Sequence, residues 1–217
     1  MSDIQTIIKR LRKQTKKFTR PLVDTLIAER GRDPYMILIA CLLSLRAKDS
    51  TTIHVCGDLF TRVKAPEQIV AMPLEELELI IFKTGFYHTK ACVLKHVSNV
   101  LLEKYAGKVP ATYQELVAIK GVGPKTANLV LGYAFGILAL CVDTHVHRIS
   151  NRLGLVKTKT PEQTELALQA VVPREHWIEW NSLLVMMGQN ICVPVRPKCS
   201  ECLLAGICPR AGVKESK

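Results

Sequence analysis

The chain has 217 residues, 48% of them apolar, and 30 Lys+Arg against 19 Asp+Glu give a formal charge of +11. That apolar share excludes a disordered chain and supplies a core for one domain or two small ones. The charge points to a polyanionic partner, with nucleic acid ahead of an acidic membrane surface.

In chain order, Ile4, Ile7, Ile8 and Leu11 first fall at helical spacing. The same segment, MSDIQTIIKRLRKQTKKF, lacks the apolar core of a signal peptide. An intracellular protein is therefore expected, cytoplasmic and at the nucleoid if the source is prokaryotic. In such a reducing compartment the 8 cysteines are not read as disulfides. DPYMILIACLLSLRA opens with Asp33 as N-cap and Pro34 at the first helical position, which predicts a helix to about Ala47. APEQIVAM, PLEELELIIF and TPEQTELALQAVV repeat the pattern of Pro entry followed by acids. HTKACVLKHVSNVLLEKYAG reads as a long amphipathic helix closed by Gly107. No stretch alternates over strand length, so the fold class is all-α, with the short connections of a compact bundle. The most apolar run, ANLVLGYAFGILALCV, carries Asn128 and two glycines and stops at Asp143. It falls short of the roughly 18 uninterrupted apolar residues of a membrane span.

TGFYHTKA (84–91) and KGVGPKTA (120–127) match without gaps at one glycine and one alanine, each between two helical stretches. This faint echo predicts two helical hairpins that point their turns at one surface. In the second, Gly121 and Gly123 flank Val122 ahead of a helix, which suits a turn with positive φ and bare backbone N–H groups. Those amides and the positive end of the helix suit an anion such as a DNA phosphate. A ligand-free corner between two helices suits the glycines equally well. Lys125 falls in the first turn of a helix over about 124–135, where a cation is unfavourable. Three roles fit it: a phosphate holder, a solvated charge, or a nucleophile whose neutral amine the helix dipole favours. Asp143, in CVDTHVHRISNRLG, reads either as an ordinary N-cap or as a carboxylate partner for that lysine. The lysine helix is about 18 Å long, and residues 136–142 extend to about 23–25 Å, so the chain is able to return Asp143 to the start of that helix. The carboxylate would also favour a protonated lysine, opposing the dipole.

Cys192, Cys199, Cys202 and Cys208 follow C-x6-C-x2-C-x5-C. Four thiolates in one short loop predict a metal site, either zinc or a [4Fe–4S] cluster. Zinc ribbons usually bring two C-x-x-C knuckles, and here there is one. Arg196 and Lys198, on a loop braced by Pro194 and Pro197, read as phosphate contacts or as solvated charges. The scattered Cys41, Cys56, Cys92 and Cys141 read as core fillers.

With hairpin, aspartate and cysteine spacing assembled, the sequence resembles the endonuclease III family of helix-hairpin-helix, [4Fe–4S] base-excision DNA glycosylases. The resemblance runs from LLSLRAKD near residue 42 to Cys208. It implies two all-α domains: a six-helix barrel with the helix-hairpin-helix over 22–133, and a cluster domain of 1–21 plus 134–217. It further implies that GVGPKTAN carries a catalytic lysine at Lys125, that Asp143 is the catalytic aspartate, and that the four cysteines ligate a [4Fe–4S] cluster. TGFYHTKA corresponds to the family's lesion-probing turn and puts an apolar wedge at Phe86. Arg46, Gly121, Val122, Gly123, His145, Arg196 and Lys198 join Phe86 as expected DNA contacts. The implied protein is a monomer acting on double-stranded DNA that contains damaged bases or abasic sites. It would be a bifunctional glycosylase and AP lyase that removes oxidised pyrimidines and nicks the strand by β-elimination through a lysine Schiff base. One departure bears on lesion preference: Arg46 and Lys48 stand where the family usually has a glutamine, a small residue and Thr-Asp. Competing readings are a thymine- or adenine-mismatch glycosylase of the same superfamily and a non-catalytic DNA-binding iron–sulfur protein.

Overall fold

The computed structural model describes residues 3–217 and is built of helices, turns and loops, with no strand among the described residues. The chain forms two units, Leu22–Ile137 and Met1–Pro21 with Leu138–Lys217.

Numbered in chain order, the Leu22–Ile137 unit holds α2 (Leu22–Arg30), α3 (Pro34–Ser44), α4 (Asp49–Arg62) and α5 (Pro66–Ala71). It continues with α6 (Leu74–Ile81), α7 (Tyr87–Tyr105), α8 (Tyr113–Ala118) and α9 (Pro124–Phe135). Its axis is α3. Asp33 Oδ1 accepts from Met36 N at 2.8 Å, and Pro34 opens the first turn. Every residue from Tyr35 to Leu43 is buried, as a helix apolar on all sides requires, and α2, α4, α7 and α9 pack round it. The helix ends at Ser44 rather than at Ala47: Leu45 leaves helical geometry with ψ 120° and Arg46 turns left-handed with φ 55°. At the far side, α7 closes through Ala106 and Gly107, both left-handed, with Gly107 N donating to Leu101 O at 2.9 Å.

The other unit holds α1 (Ile4–Thr15), α10 (Thr144–Arg152), α11 (Pro161–Gln169) and α12 (Trp177–Asn190). Ile7, Ile8 and Leu11 of α1 join a core with Val146 and Ile149 of α10 and with Trp180 of α12. Arg12 grips Glu179 through two bonds of 3.0 and 2.6 Å. Burial pushes the Glu179 carboxyl up, but the bonds and charges of Arg12 and His176 outweigh it and hold the group below its ordinary value. Gln14, itself buried, ties α1 to the cysteine loop. Its Nε2 donates to Glu201 O at 3.1 Å, and its Oε1 accepts from Leu203 N at 2.7 Å. Among the described residues no helix is long and apolar enough to cross a membrane.

Candidate catalytic and nucleic-acid-binding site

Between α8 and α9 the chain turns on Gly121. Its φ is +101°, and a Cβ there would lie 2.7 Å from Val93 Cγ1, so backbone and neighbour both demand glycine. Gly123 departs from the expected positive φ. It is the N-cap of α9 with φ −91° and ψ 172°, extended backbone that any residue adopts, and nothing lies within 4 Å of a Cβ built on it. Val122 packs inward at 5% exposure, and its N–H closes the turn on Ile119 O at 2.9 Å. The outward part of the turn is therefore the backbone of the two exposed glycines. Lys125 sits half-buried in the first turn of α9. Near it lies the Cys41 thiol of α3, which burial pushes up to about 12 against the opposing effect of the lysine charge.

In the same unit Arg46 and Phe86 come together, with the guanidinium carbon 5.6 Å from the ring centroid. Both are non-glycine residues in the left-handed region, at φ 55° and 51°, a conformation that costs free energy and clusters at functional sites. Phe86 is 63% exposed. Lys48 is the exposed N-cap of α4, and its carbonyl accepts from Thr52 N at 3.0 Å. Cys41, Cys56 and Cys141 are buried, but Cys92 is exposed. The buried stripe of α7 runs through Ala91, Leu94, Val97 and Leu101, and Cys92 lies off it.

Asp143 belongs to the other unit, where it caps α10. Its Oδ1 accepts from His145 N and Val146 N, both at 2.9 Å. The His145 ring has Nδ1 3.2 Å from Arg148 Nη2. Ring and guanidinium both rest on Gly188 of α12, where a Cβ would fall 2.2 Å from His145 Nδ1 and 2.9 Å from Arg148 Nη2. Arg148 donates to Cys192 O at 2.9 Å. Arg152 donates to Cys192 Sγ at 3.4 Å, Val193 O at 2.8 Å and Pro194 O at 2.7 Å. The helix capped by Asp143 is thus laced to the cysteine loop. Sequence reading had missed Arg148, Arg152 and Gly188. The available signals were two arginines four apart on one helix face and a glycine inside a helix, which marks close approach.

Cys192, Cys199, Cys202 and Cys208 form no disulfide and line one cavity together with Lys198 and Val213. Burial pushes the Cys202 and Cys208 thiols up, and the neighbouring cysteines push in the same direction. Among the described residues no three His, Cys, Asp or Glu side chains gather tightly enough to hold a single ion. A lone zinc draws its sulfurs to about 2.3 Å from one centre, whereas a polynuclear cluster takes four thiolates on a wider frame. Four thiolates from one loop with a single C-x-x-C are a donor set that suits a [4Fe–4S] cluster. At the loop's exposed tip Arg196 pairs with Glu215 at 3.3 Å, while Lys198 is half-buried.

The chain is similar to known proteins over most of its length. The family described as HhH-GPD superfamily base excision DNA repair protein matches residues 39–174. The chain is 42% identical over 197 residues to Endonuclease III of Thermotoga maritima, covering 91% of this chain and 89% of that protein. To Endonuclease III-like protein 1 of Bos taurus it is 41% identical over 200 residues, spanning 87% of this chain and 66% of that longer relative. A solved non-covalent Endonuclease III-DNA complex is similar with a TM-score of 0.83 at 34% identity, and 97% of each chain is covered. A trapped Endonuclease III-DNA covalent intermediate matches over the same shares with a TM-score of 0.81 at 33% identity.

Proposed function

Because the chain belongs to the endonuclease III family of HhH-GPD base-excision DNA repair proteins, we propose that Lys125 is the nucleophile of a bifunctional DNA glycosylase and AP lyase. Asp143 supplies the carboxylate that stabilises positive charge on the sugar, and the substrate is double-stranded DNA bearing oxidised pyrimidines or abasic sites. The observation that carries the reading is the place of Lys125, half-buried in the first turn of α9 behind a bare glycine turn. An idle cation is unfavourable at that end of a helix, whereas a nucleophile beside an anion-binding turn has a reason to stand there.

A damaged nucleotide rotated out of the duplex presents C1′ of its sugar. The Lys125 Nζ lone pair forms a bond to C1′ as the glycosidic C–N bond breaks, and that electron pair leaves with the base. The Asp143 carboxylate, fixed by the amides of His145 and Val146, opposes the positive charge that develops on the sugar. The nitrogen then loses a proton, O4′ gains one, and the C1′–O4′ bond opens to leave a protonated Schiff base. Its positive charge acidifies C2′. Loss of a C2′ proton expels the 3′ phosphate and nicks the strand. Phe86 occupies the space left by the extruded base, and Arg46 beside it faces the unpaired base. The Gly121 and Gly123 backbone, His145, Arg196 and Lys198 meet phosphates. Cys192, Cys199, Cys202 and Cys208 hold a [4Fe–4S] cluster that cross-links the loop bearing the last two. In a prokaryotic cell such an enzyme works in the cytoplasm, on the nucleoid.

Borohydride trapping on abasic duplex DNA tests the assignment. The unaltered protein forms a covalent adduct, and Lys125→Gln lowers it at least about a thousandfold while duplex affinity stays within about threefold. No adduct from the unaltered protein would leave only a DNA binder, and equal loss of adduct and affinity would make Lys125 a phosphate contact. Purified protein is yellow-brown and carries iron; a colourless zinc protein overturns the cluster.

A further inference from the structure

The last four carbonyls of an α-helix have no partner inside it. At the end of α3 each has found one. Cys41 O accepts from Ser44 Oγ at 2.8 Å, Leu42 O from Leu45 N at 3.4 Å and Ser44 O from Ala47 N at 3.1 Å. The fourth, Leu43 O, accepts from Lys90 Nζ at 2.7 Å, the sole partner here from a distant segment. The same ammonium donates to Thr84 O at 2.9 Å. Thr84 ends the short helical turn Phe82–Thr84 that leads into Gly85 and Phe86, and Leu43 stands just ahead of the Arg46 turn.

Lys90 is 8% exposed and shares the buried face of α7 with Leu94, Val97 and Leu101. Burial pushes its pKa down, and a lysine at that depth is uncommon unless it is paired. Two charge-assisted bonds, one of them to the negative end of α3, offset the loss of water. The turns rooted at those two carbonyls carry Arg46 and Phe86, both left-handed and stacked on each other. Strained turns keep their shape only where the surroundings over-determine them.

We propose that Lys90 is a positioning residue that locks the Arg46 turn and the Phe86 turn into one stacked DNA-probing unit. This rests on the reading that the enzyme rotates nucleotides out of a duplex. The locked pair enters the duplex together. Without the ammonium the Leu43 and Thr84 carbonyls separate and the stack loses its register, while the chemistry at an already accessible sugar continues.

Two assays divide those steps: single-turnover excision of an oxidised pyrimidine from duplex DNA, and borohydride trapping on a single-stranded abasic oligonucleotide, which has no base pair to part. Lys90→Met lowers duplex excision about 10–100-fold and changes single-strand trapping by less than about twofold. Adding Phe86→Ala to Lys90→Met brings little further loss, and Lys90→Arg restores part of the rate. Equal loss in both assays, or losses that multiply with Phe86→Ala, overturns the proposal. Should Lys90→Met lose the helical circular-dichroism signal, Arg46→Ala and Phe86→Ala replace it: non-multiplying losses of duplex excision support the locked unit, and multiplying losses overturn it. An unaltered protein that excises nothing overturns the glycosylase reading and this one together. Full excision by a folded Lys90→Met overturns the lock alone.

Discussion

The Gly85 turn and the Gly121 turn begin alike and end differently. Each follows one helical element and enters another, and each sets its glycine at positive φ, +68° and +101°. The next residue separates them. Phe86 is 63% exposed, whereas Val122 is 5% exposed. The first turn thus offers an apolar side chain to the outside, and the second hides its apolar residue and offers bare backbone with Lys125 behind it. Four positions past Phe86 and Val122, the matching Lys90 and Thr126 are both buried, so the roots of the two turns are both anchored. On the proposed function, one skeleton serves two tasks, prising a base pair apart and holding the sugar-phosphate chain, according to which group the tip turns outward.

The largest predicted difference lies in the glycines themselves. An alanine at Gly121 meets both a positive φ and Val93 Cγ1 at 2.7 Å, so Gly121→Ala destabilises by about 2–4 kcal/mol. An alanine at Gly85, where φ is 68° and ψ 155°, meets the backbone strain alone, with nothing within 4 Å of its Cβ, and costs about 1–3 kcal/mol, less than Gly121→Ala by the Val93 clash. Urea unfolding followed by circular dichroism reads both. Matching midpoints for the two variants would mean that Val93 yields, and the Gly121 turn would lose its claim to rigidity.

The tips give the next contrast. Val122→Ala removes buried methyl groups and costs about 1–3 kcal/mol. Phe86→Ala removes an exposed ring from a strained position and leaves stability within about 0.5 kcal/mol. Excision from duplex DNA nevertheless falls about tenfold or more, the scale of one lost stacking contact. A Phe86→Ala protein that unfolds early but excises normally would make Phe86 a packing residue and erase the distinction between the turns.

Local chemistry explains how much of this was legible in advance. Asp33 and Pro34 announce α3, Pro66 announces α5, Thr160 and Pro161 announce α11, and Gly107 ends α7, because caps and proline entries depend on neighbours in sequence. The all-α class and the cysteine loop were legible for the same reason. By contrast α2 and α4 gave weak signals: LVDTLIAER carries apolar residues on several sides, and DSTTIHVCGDLFTR is rich in poor helix formers and includes Gly57. Where tertiary bonds decide, sequence reading failed. The end of α3 at Ser44 and the left-handed Arg46 go with a bond from Lys90. The seat of His145 requires the bare Cα of Gly188, and Arg148 and Arg152 take partners from the cysteine loop. The outward Cys92 was legible but overlooked, since it falls off the apolar stripe of its own helix.

Gly123 supplies the smallest effect on stability and the sharpest test of what the second turn is for. Its backbone is extended and its surroundings are open, so the fold does not demand a glycine there. Alanine is a poorer helix N-cap than glycine, which disfavours Gly123→Ala, but it also restricts the unfolded chain, which favours the substitution. The two effects offset to within about 0.5 kcal/mol, and the melting temperature stays near that of the unaltered protein. A reason for glycine then has to come from outside the fold. If the α9 N-terminus receives a phosphate, a methyl group at residue 123 stands in the way of the approach. Affinity for a duplex carrying an abasic analogue then falls about three- to tenfold, the scale of one weakened hydrogen bond to a charged group. The loss shrinks as salt is raised. Unchanged affinity at every salt concentration, with the fold intact, would return the Gly121–Gly123 turn to a plain helix–helix corner and leave Lys125 to act without a phosphate seat beside it.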